Sequence, residues 1–519
     1  MLCVAPALPA ADGADAADGG NGVTIGRLAD ILTEETGLLS TLRAPADIRL
    51  KVARDFEAFL AAGDFAAAVV LHAFKCGDAL DALAEVAQRH RSLGTEAPFK
   101  VALVLGGTDV NVDAASSPAR AATLARRAAA ADVVVAFSPS MVAAAPSGSL
   151  PPATTVVVPQ GVRLPTPNPK PRRGQSEQRA NAETETSPET SLSETHSGEQ
   201  SVFRERAFPS LHDAIGAPSS TPVFLLPAGL RPVKDVLWAA DAAEAAARRL
   251  AETRRLRGDG TRLGKGESAG PGPAFAMAVV GPALDAAYAS LVSEKARACR
   301  LNTHTSAGGA GAFASAGPVP RGVALEYMRA AAGVLNTSAS EGQSGALLEA
   351  AAAGAPVLAR DIPGNRALLD LLEEACEEAC ASADTSAGTG DAPRVEDPED
   401  PEDPSNERTE HLDATSCSIS VREISGGESF SRDDKDALDA HPRLAACAHP
   451  CGFLFAAPET LAEAMASFAE DSELGSAVRR AAARAAARAR RGAEALARRE
   501  RRGWRDVAAS LLGGQTEGV

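Results

Sequence analysis

The chain has 519 residues, of which 45% are hydrophobic and 23% are charged. This composition is ordinary for a soluble globular protein and excludes collagen-like and wholly disordered chains. Lys and Arg number 52 against 68 Asp and Glu, which gives a formal net charge of −16 at pH 7. A molecule of that charge repels phosphate backbones and anionic membrane surfaces, so nucleic acid is not an expected partner.

The sequence offers no segment that is expected to cross a membrane. No apolar run free of charges approaches the ~18 residues that a membrane span needs. The N-terminus has an apolar stretch at 2–9 but lacks the basic start of a signal peptide, and we interpret this stretch as a short first strand. Eight unevenly spaced cysteines do not form a secreted disulfide framework. We therefore expect a cytoplasmic protein.

The first part of the chain alternates short β-rich runs with helical periodicity. The segments are a strand at 66–74, a helix at 78–90, a strand at 101–107, a helix and a strand within 124–140, and a strand at 154–162. Such alternation indicates a parallel sheet covered by helices on both faces. It predicts a Rossmann-like domain over residues 1–165.

A second region repeats the pattern and continues it to residue 360. Strands are predicted at 223–230 and 274–281, and helices at 236–252 and 284–297. These predict a second Rossmann-like domain, built from 223–371 together with 448–475. In doubly wound folds ligands bind at the carboxyl ends of the strands. Two such domains in tandem therefore place a cleft between them.

Four segments interrupt this pattern and differ from it in composition. Residues 166–222 are predicted to be a largely disordered linker, because 166–200 are rich in Pro, Ser, Thr, Glu and Asn. Residues 372–447 are predicted to be a disordered acidic insertion. Shorter surface insertions are predicted at 253–272, which are basic and Gly-rich, and at 303–318, which are rich in Gly, Ala and Ser.

The C-terminal residues 476–519 are predicted to be helices. Ala and Arg dominate the stretch from 479 to 505. An Arg-rich helix is more often a solvated face than an anion-binding surface, and we expect a solvated face here.

A strand–loop–helix block at 338–365 is the strongest candidate for chemistry. Its loop holds Glu341, and Glu349 lies on the following helix, eight residues later. The free amides at a helix start favour an anion, and Gly342 and Gly345 let the backbone approach a ligand closely. The block therefore predicts an anion site between two carboxylates. The alternative is an ordinary loop and helix with two solvated glutamates.

Two cations form a second constellation at 227–235. A predicted strand ends at Gly229, and Arg231 and Lys234 follow it. Arg as a bidentate fork and Lys as a point charge suit a diphosphate at the end of a strand. The alternative is a solvated loop.

A third set of candidates lies in the first half of the chain. His72 follows one predicted strand, and Asp109 lies in a Gly-Thr-Asp turn after the next. A lone His at a strand end is more often structural than catalytic, and Asp is a common turn former. Gly20 and Gly22 belong to a Gly-rich loop predicted before a helix. The glycine spacing misses the dinucleotide fingerprint, so a Rossmann dehydrogenase is not supported.

Two further patterns are weak. Residues 260–268 have the wrong glycine spacing for a phosphate-binding P-loop and lie in a predicted insertion. Two Cys-x3-Cys pairs, with His441 and His449 nearby, are looser than the usual structural zinc knuckles. The pairs are Cys376 with Cys380 and Cys447 with Cys451. We expect no metal site.

Several blocks together resemble the glycosyltransferase 1 domain-containing protein 1 group, within the family-4 retaining glycosyltransferases of GT-B fold. They are GGTDVN at 106–111, PAGLRPVKD at 227–235, VVGPALD at 279–285, the block NTSASEGQSGALLEAAAAGAPVLARDIPGN at 336–365, and HPCGFLF at 449–455. The resemblance covers about half of the chain. It implies two Rossmann-like doubly wound domains that face a cleft.

On the donor side, the resemblance implies that Glu349 holds the ribose hydroxyls of a nucleotide-sugar and that Glu341 faces the donor sugar. It implies that Arg231 and Lys234 stabilise the leaving diphosphate. Backbone amides that contact the sugar or phosphate would come from Gly342, Gln343, Ser344 and Gly345.

On the other side of the cleft, the resemblance implies that Gly20 and Gly22 approach the donor phosphates. His72 and Asp109 would then lie near the acceptor and the reacting carbon. Relatives often carry Arg or Lys followed by Ser or Gly after this His, whereas this chain has Phe-Lys-Cys-Gly at 74–77.

The resemblance implies a retaining glycosyltransferase that moves a hexose-type sugar from a nucleotide-diphosphate sugar to an unknown acceptor. We expect no metal and no further cofactor, because the two cations can neutralise the leaving group. The alternative hypothesis is a non-catalytic nucleotide-sugar-binding protein or a scaffold on the same fold, since fold does not determine function.

Overall fold

The computed structural model describes residues 1–6, 20–45, 65–95, 97, 99–164, 208–257, 274–305, 312–387, 438–470 and 472–513. Most of the predicted linker, most of the acidic insertion and most of the basic insertion lie outside these residues. The described residues form two parallel-sheet domains and one long helix that joins them.

The N-terminal sheet has six parallel strands in the order β2-β1-β3-β4-β5-β6. They are β1 (Leu2–Val4), β2 (Thr41–Arg43), β3 (Ala67–Leu71), β4 (Lys100–Val104), β5 (Val133–Ala136) and β6 (Thr155–Val157). The central strands are rich in Val and Leu and are buried on both faces, as a parallel sheet covered by helices requires. The predicted first strand is present but ends at Val4.

Helices cover this sheet, and serine side chains cap the starts of two of them. They are α1 (Gly20–Thr36), α2 (Gly77–Ser92), α3 (Pro118–Ala130) and α4 (Pro139–Ala144). Ser117 and Ser138 cap α3 and α4, because each hydroxyl accepts a backbone N–H of the first turn and a proline follows each serine.

The C-terminal sheet has seven strands in the order β12-β13-β11-β10-β7-β8-β9, and only the β12–β13 pair is antiparallel. They are β7 (Val223–Pro227), β8 (Ala276–Val280), β9 (Ala312–Gly317), β10 (Gly333–Asn336), β11 (Val357–Arg360), β12 (Ala448–His449) and β13 (Gly452–Phe455). Phe224 of β7 packs edge-on against both Phe275 and Phe468 beneath the sheet.

The helices of this domain lie on both faces of the sheet. They are α5 (Leu211–Ile215), α6 (Val236–Arg257), α7 (Ala286–Thr305), α8 (Arg321–Ala330), α9 (Gly345–Ala353), α10 (Pro363–Ala387), α11 (Pro442–Ala445) and α12 (Pro458–Ala469). Ala dominates their buried positions, so the helices can approach the sheet closely.

A final helix, α13 (Glu473–Leu512), spans both domains. Its 40 residues extend about 60 Å at 1.5 Å per residue. Val478 near its start lies in the core of the C-terminal domain, whereas Trp504 and Leu511 near its end lie in the core of the N-terminal domain. Its small buried residues let it cross α10 at close range.

The structure corrects four boundaries that the sequence predicted. Residues 303–318 include β9, a paired strand, because runs of Ala and Gly can be buried in a small-residue core. The acidic insertion cannot begin at 372, since Leu372 and Cys376 are buried on α10. The described part of the predicted C-terminal helices at 476–519 forms a single helix that ends at Leu512. The end of the predicted linker contains α5, whose Leu211 is buried.

The two sheets present the carboxyl ends of their strands to each other, because a loop after β4 is hydrogen-bonded to a loop after β10. Two doubly wound parallel-sheet domains that face a cleft are the GT-B architecture. The predicted fold class is therefore confirmed. None of the helices in the described ranges combines the length and the apolar composition of a membrane span.

A candidate anion-binding site in the cleft

The strand order of the C-terminal sheet brings two predicted loops into one crevice. Strands β7 and β10 are neighbours, although three connections separate them along the chain. Ligands of doubly wound folds bind at such a reversal of strand order, outside the carboxyl ends of the strands. The loop that follows β7 carries Arg231 and Lys234, and the loop that follows β10 carries Glu341.

Lys234 and Glu341 form an ion pair in this crevice, with side chains 21% and 13% exposed. The Ser338 hydroxyl donates a second hydrogen bond to the same carboxylate, at 2.7 Å. The Thr337 hydroxyl donates to the Lys234 carbonyl oxygen at 3.1 Å. These contacts hold the two loops together and keep one ammonium group at the mouth of the crevice.

Arg231 precedes Lys234 by three residues and is half-buried. Its Nε atom is buried and has no hydrogen-bond partner in the described part of the chain. A buried guanidinium N–H without an acceptor is unfavourable and would gain from a bound anion. The loop is held from behind by Arg360, which pairs with Asp235 at 2.7 Å and stacks on the Trp238 ring at 5.3 Å.

The first turn of α9 is capped by Ser344 and has open space beside Gly345. The Ser344 hydroxyl accepts the Leu347 N–H and a 2.7 Å hydrogen bond from the Asn336 side-chain amide. Ser344 is only 3% exposed, so its side chain serves as the helix cap. A Cβ atom built on Gly345 would meet nothing within 4 Å, which leaves the first turn of the helix open.

Glu349 lies one turn further along α9 and is 18% exposed. Its Oε1 atom accepts a hydrogen bond from Nε of Arg321 at 2.7 Å. Arg321 is the first residue of α8, and the sequence analysis did not identify it. Its pairing with Glu349 joins two different helices, and no local pattern in the sequence indicates it.

On the opposite side, His72 and Asp109 are buried and adjacent. Nδ1 of His72 lies 3.2 Å from Oδ2 of Asp109, and Nε2 lies 3.1 Å from Oδ1 of Asn21. His72 has a φ of 76°, a left-handed conformation rare for a residue with a side chain. Strain of this kind often occurs at functional sites. Asn21 was not among the candidate residues that the sequence pattern indicated.

Asp109 is 0% exposed and acts as an acceptor for several donors. Its carboxylate accepts the backbone N–H groups of Ala73 at 2.9 Å, Gly106 at 2.8 Å and Phe74 at 3.3 Å. Burial opposes ionisation of Asp109, but its interaction with His72 and the hydrogen bonds from the Gly106 and Ala73 amides outweigh burial and lower its pKa. An ionised Asp109 therefore orients the His72 ring.

The predicted Gly-rich loop at Gly20 and Gly22 is not a loop in the structure. Helix α1 begins at Gly20, so both glycines lie in its first turn. The apolar residues that follow the glycines have helical spacing, and the helix that they form extends back to include both glycines. Gly20 and Gly22 therefore lie at a helix N-terminus, and Asn21 between them contacts His72.

Two hydrogen bonds cross the cleft and join its walls. The Asn111 side-chain amide donates to the Glu341 carbonyl oxygen at 3.2 Å, and the Gln160 backbone N–H donates to Oε1 of Gln343 at 3.2 Å. The buried Nε2 atom of Gln343 has no partner among the residues that the structure describes. Residues 158–164, the interdomain connection, thus contact the candidate site directly.

The interdomain connection is also anchored to α1 and α13. The Gln160 side chain donates to the Thr24 hydroxyl at 3.0 Å. Arg27 of α1 lies 3.0 Å from Glu500 of α13, and Gly161 packs against Glu500. Burial raises the pKa of Glu500, although Arg27 and the Gly161 amide oppose that rise.

These features define what the site can do chemically. Arg231, Lys234 and the open start of α9 present positive charge and N–H donors to one crevice, where an anion such as a diphosphate is favoured. Within the ranges that the structure covers, no group of three or more His, Cys, Asp or Glu could hold a metal ion.

No family model matches the sequence, and no curated protein matches it. Among solved structures, the chain is similar to Anabaena Alr3699/HepE in complex with UDP and glucose, with 14% identity and a TM-score of 0.47 over 99% of this chain and 98% of that chain. It is also similar to a UDP-forming trehalose-phosphate synthase from Burkholderia vietnamiensis, with 12% identity and a TM-score of 0.44 over 95% and 85% of the two chains.

Proposed function

We propose that this protein is a retaining glycosyltransferase that moves a hexose-type sugar from a nucleotide-diphosphate sugar to a hydroxyl acceptor. One observation carries the proposal. Arg231, with a buried Nε that lacks an acceptor, and Lys234 lie at the strand-order reversal beside the open start of α9. We assign the chain to the family-4 group that its sequence blocks resemble. Free cysteines in the described residues favour a reducing, cytoplasmic compartment.

In this proposal the two cations and the α9 amides bind the diphosphate. The bond between the anomeric carbon and the diphosphate oxygen breaks, and the leaving group gains negative charge. Arg231, Lys234 and the helix start would stabilise that charge. The acceptor oxygen attacks from the same face, its proton passes to a leaving phosphate oxygen, and the anomeric configuration is kept.

The two glutamates serve different parts of the donor. Glu341 would face the donor sugar while its carboxylate holds Lys234 in place. Glu349 would accept the ribose hydroxyls. His72, oriented by Asp109, and Asn21 would contact the sugar or acceptor from the N-terminal domain. The backbone amides at 342–345 would contact the sugar or phosphate.

A nucleotide panel tests the donor site. UDP, GDP and ADP and their glucose or mannose conjugates are added to wild type, to Glu349→Gln and to the control Glu326→Gln, which changes an exposed glutamate on α8. A nucleotide at 100 times its Kd adds about 2.7 kcal/mol of stability. We expect one base to raise the Tm of wild type and the control but to raise that of Glu349→Gln much less.

Turnover is measured next with the base so identified. Release of nucleoside diphosphate in the presence of hydroxyl acceptors, with the product anomer determined by NMR, tests transfer and retention. Donor binding without turnover across varied acceptors would favour the non-catalytic binding protein. Absence of any nucleotide-induced shift in wild type would contradict the transferase and favour a scaffold.

A further inference from the structure

Arg321 contacts two features of the cleft at once. Its Nε atom donates to Glu349 Oε1 at 2.7 Å, and one terminal guanidinium nitrogen donates to the Arg163 carbonyl oxygen at 3.2 Å. Glu349 belongs to the proposed donor site, and Arg163 belongs to the interdomain connection. A planar guanidinium is suited to bridge two acceptors held in different directions.

The contacts continue into the N-terminal domain. The Arg163 side chain pairs with Glu34 of α1, and Glu34 also pairs with Arg501 of α13 at 2.8 Å. A chain of polar contacts therefore runs from α9 through α8 and the connection to α1. The pKa of Glu34 is lowered, chiefly by its hydrogen bond from Arg163, which keeps this carboxylate ionised.

The contact to Glu349 leaves half of the carboxylate available. Arg321 uses Oε1, while Oε2 has no hydrogen-bond partner in the described ranges. An ionised carboxylate has about four lone-pair positions, and the second oxygen can accept from a sugar hydroxyl. With Oε1 held, the orientation of Oε2 is restricted to the positions that the bridge allows.

Stabilisation of the fold alone does not account for this arrangement. The Arg321 and Glu349 side chains are 35% and 18% exposed. Ion pairs that remain partly exposed to solvent contribute little to stability. Arg329 and Glu326, another pair involving α8, lie three residues apart on the same helix and show what a purely surface pair looks like.

We propose that Arg321 is a positioning residue for the ribose of the nucleotide. It holds Glu349 so that Oε2 accepts a ribose hydroxyl, and it ties this end of the donor site to the interdomain connection. The inference rests on the proposed function. It adds that recognition of the ribose diol is coupled, through Arg163, to the arrangement of the two domains.

The test compares nucleotides that differ only in the ribose. The probes are UDP, 2′-deoxy-UDP and 3′-deoxy-UDP, or the same set on the base that the nucleotide panel selects, titrated by calorimetry. Wild type is expected to bind the ribonucleotide at least tenfold more tightly than one of the deoxy forms. Arg321→Gln is expected to lose that preference, Arg321→Lys to keep part of it, and the control Arg329→Gln to keep all of it.

A second readout addresses the coupling to the domains. Small-angle scattering should show a compaction of wild type on nucleotide binding that Arg321→Gln lacks and Arg329→Gln retains. If Arg321→Gln keeps a deoxy preference within twofold of wild type while Glu349→Gln loses it, the positioning role is wrong although the donor site stands. If no nucleoside diphosphate binds wild type, the proposed function itself fails.

Discussion

Gly107 and Gly342 face each other across the cleft so closely that neither position has room for a Cβ atom. A Cβ atom built on Gly107 would lie 2.7 Å from the Cα atom of Gly342, and one built on Gly342 would lie 2.5 Å from the Cα atom of Gly107. Gly107 follows β4 of the N-terminal domain, and Gly342 follows β10 of the C-terminal domain. This backbone contact therefore sets how closely the domains approach.

Gly107→Ala is expected to hold the cleft open. The new methyl group meets backbone atoms that cannot rotate away, so the domains must separate or the loops must shift. A misplacement of about 1 Å at a reacting centre can lower a rate about 100-fold. Scattering should show a larger radius of gyration for the nucleotide-bound variant, and kcat/KM should fall. The control is Gly322→Ala, since a Cβ atom there meets nothing within 4 Å.

Lys234→Gln should impair transfer more than donor binding. The substitution removes a cation that would stabilise the charge on the leaving diphosphate, and loss of one such donor lowers kcat about 100-fold. Steady-state kinetics and nucleotide titrations separate the two effects. The control Lys295→Gln removes a cation that pairs with Asp241 and Glu244 on α6. Equal kcat values in both variants would contradict the role of Lys234.

Asp109→Asn should destabilise the N-terminal domain. It should also make the stability of that domain depend less on pH under acidic conditions. The pKa of Asp109 is lowered in the folded state, so its contribution to stability is present above the pKa of the unfolded chain and is lost as pH falls through the folded-state pKa. The substitution removes a buried carboxylate that accepts backbone N–H groups, and loss of such an acceptor is expected to destabilise the fold by about 1–3 kcal/mol.

The measurement for Asp109 is the Tm difference between wild type and Asp109→Asn from neutral pH down to pH ~3. That difference should shrink as the solution becomes more acidic. Asp113→Asn, which changes a carboxylate paired with Arg120 near the surface, is the control. A Tm difference that does not vary with pH would mean that the charge of Asp109 is not what stabilises the fold.

Gly492→Ala should weaken the crossing of α10 and α13. A Cβ atom at this position would lie 2.1 Å from the Leu372 carbonyl oxygen, so the helices must move apart. Overpacking of this kind is expected to lower the free energy of unfolding by about 2 kcal/mol. Urea denaturation measures it, with the exposed Glu494→Ala on the same helix as the control. An unchanged urea midpoint would show that the two helices can move apart at no cost in stability.

Much of the fold was predictable because its signals are local. Short runs of Val and Leu between helical segments predicted β3, β4, β5, β7 and β8, and the structure contains each of them. β9 was missed because Ala, Ser and Gly in 312–317 carry no strand signal, although Phe313 is buried. The C-terminal part of α10 was predicted to be disordered because its composition is acidic, although one face of the helix is buried.

The candidate site was predictable in part. The sequence placed Arg231 and Lys234 in one loop and Glu341 in another, and the structure brings Lys234 and Glu341 into contact. The structural roles of Asn21 and Arg321 were not predictable. Each contacts a partner from a different element, and no spacing within the sequence indicates such a pairing.

The sequence by itself determined the alternation of strands and helices and the loops that carry charge, because periodicity and helix caps depend on neighbouring residues. Only the tertiary structure decided which loops meet. Lys234 reaches Glu341 across 107 positions and Asn111 reaches Glu341 across 230. Such contacts follow from strand order and domain closure, which depend on the packing of the whole chain. No local sequence pattern between the two partners therefore predicts them.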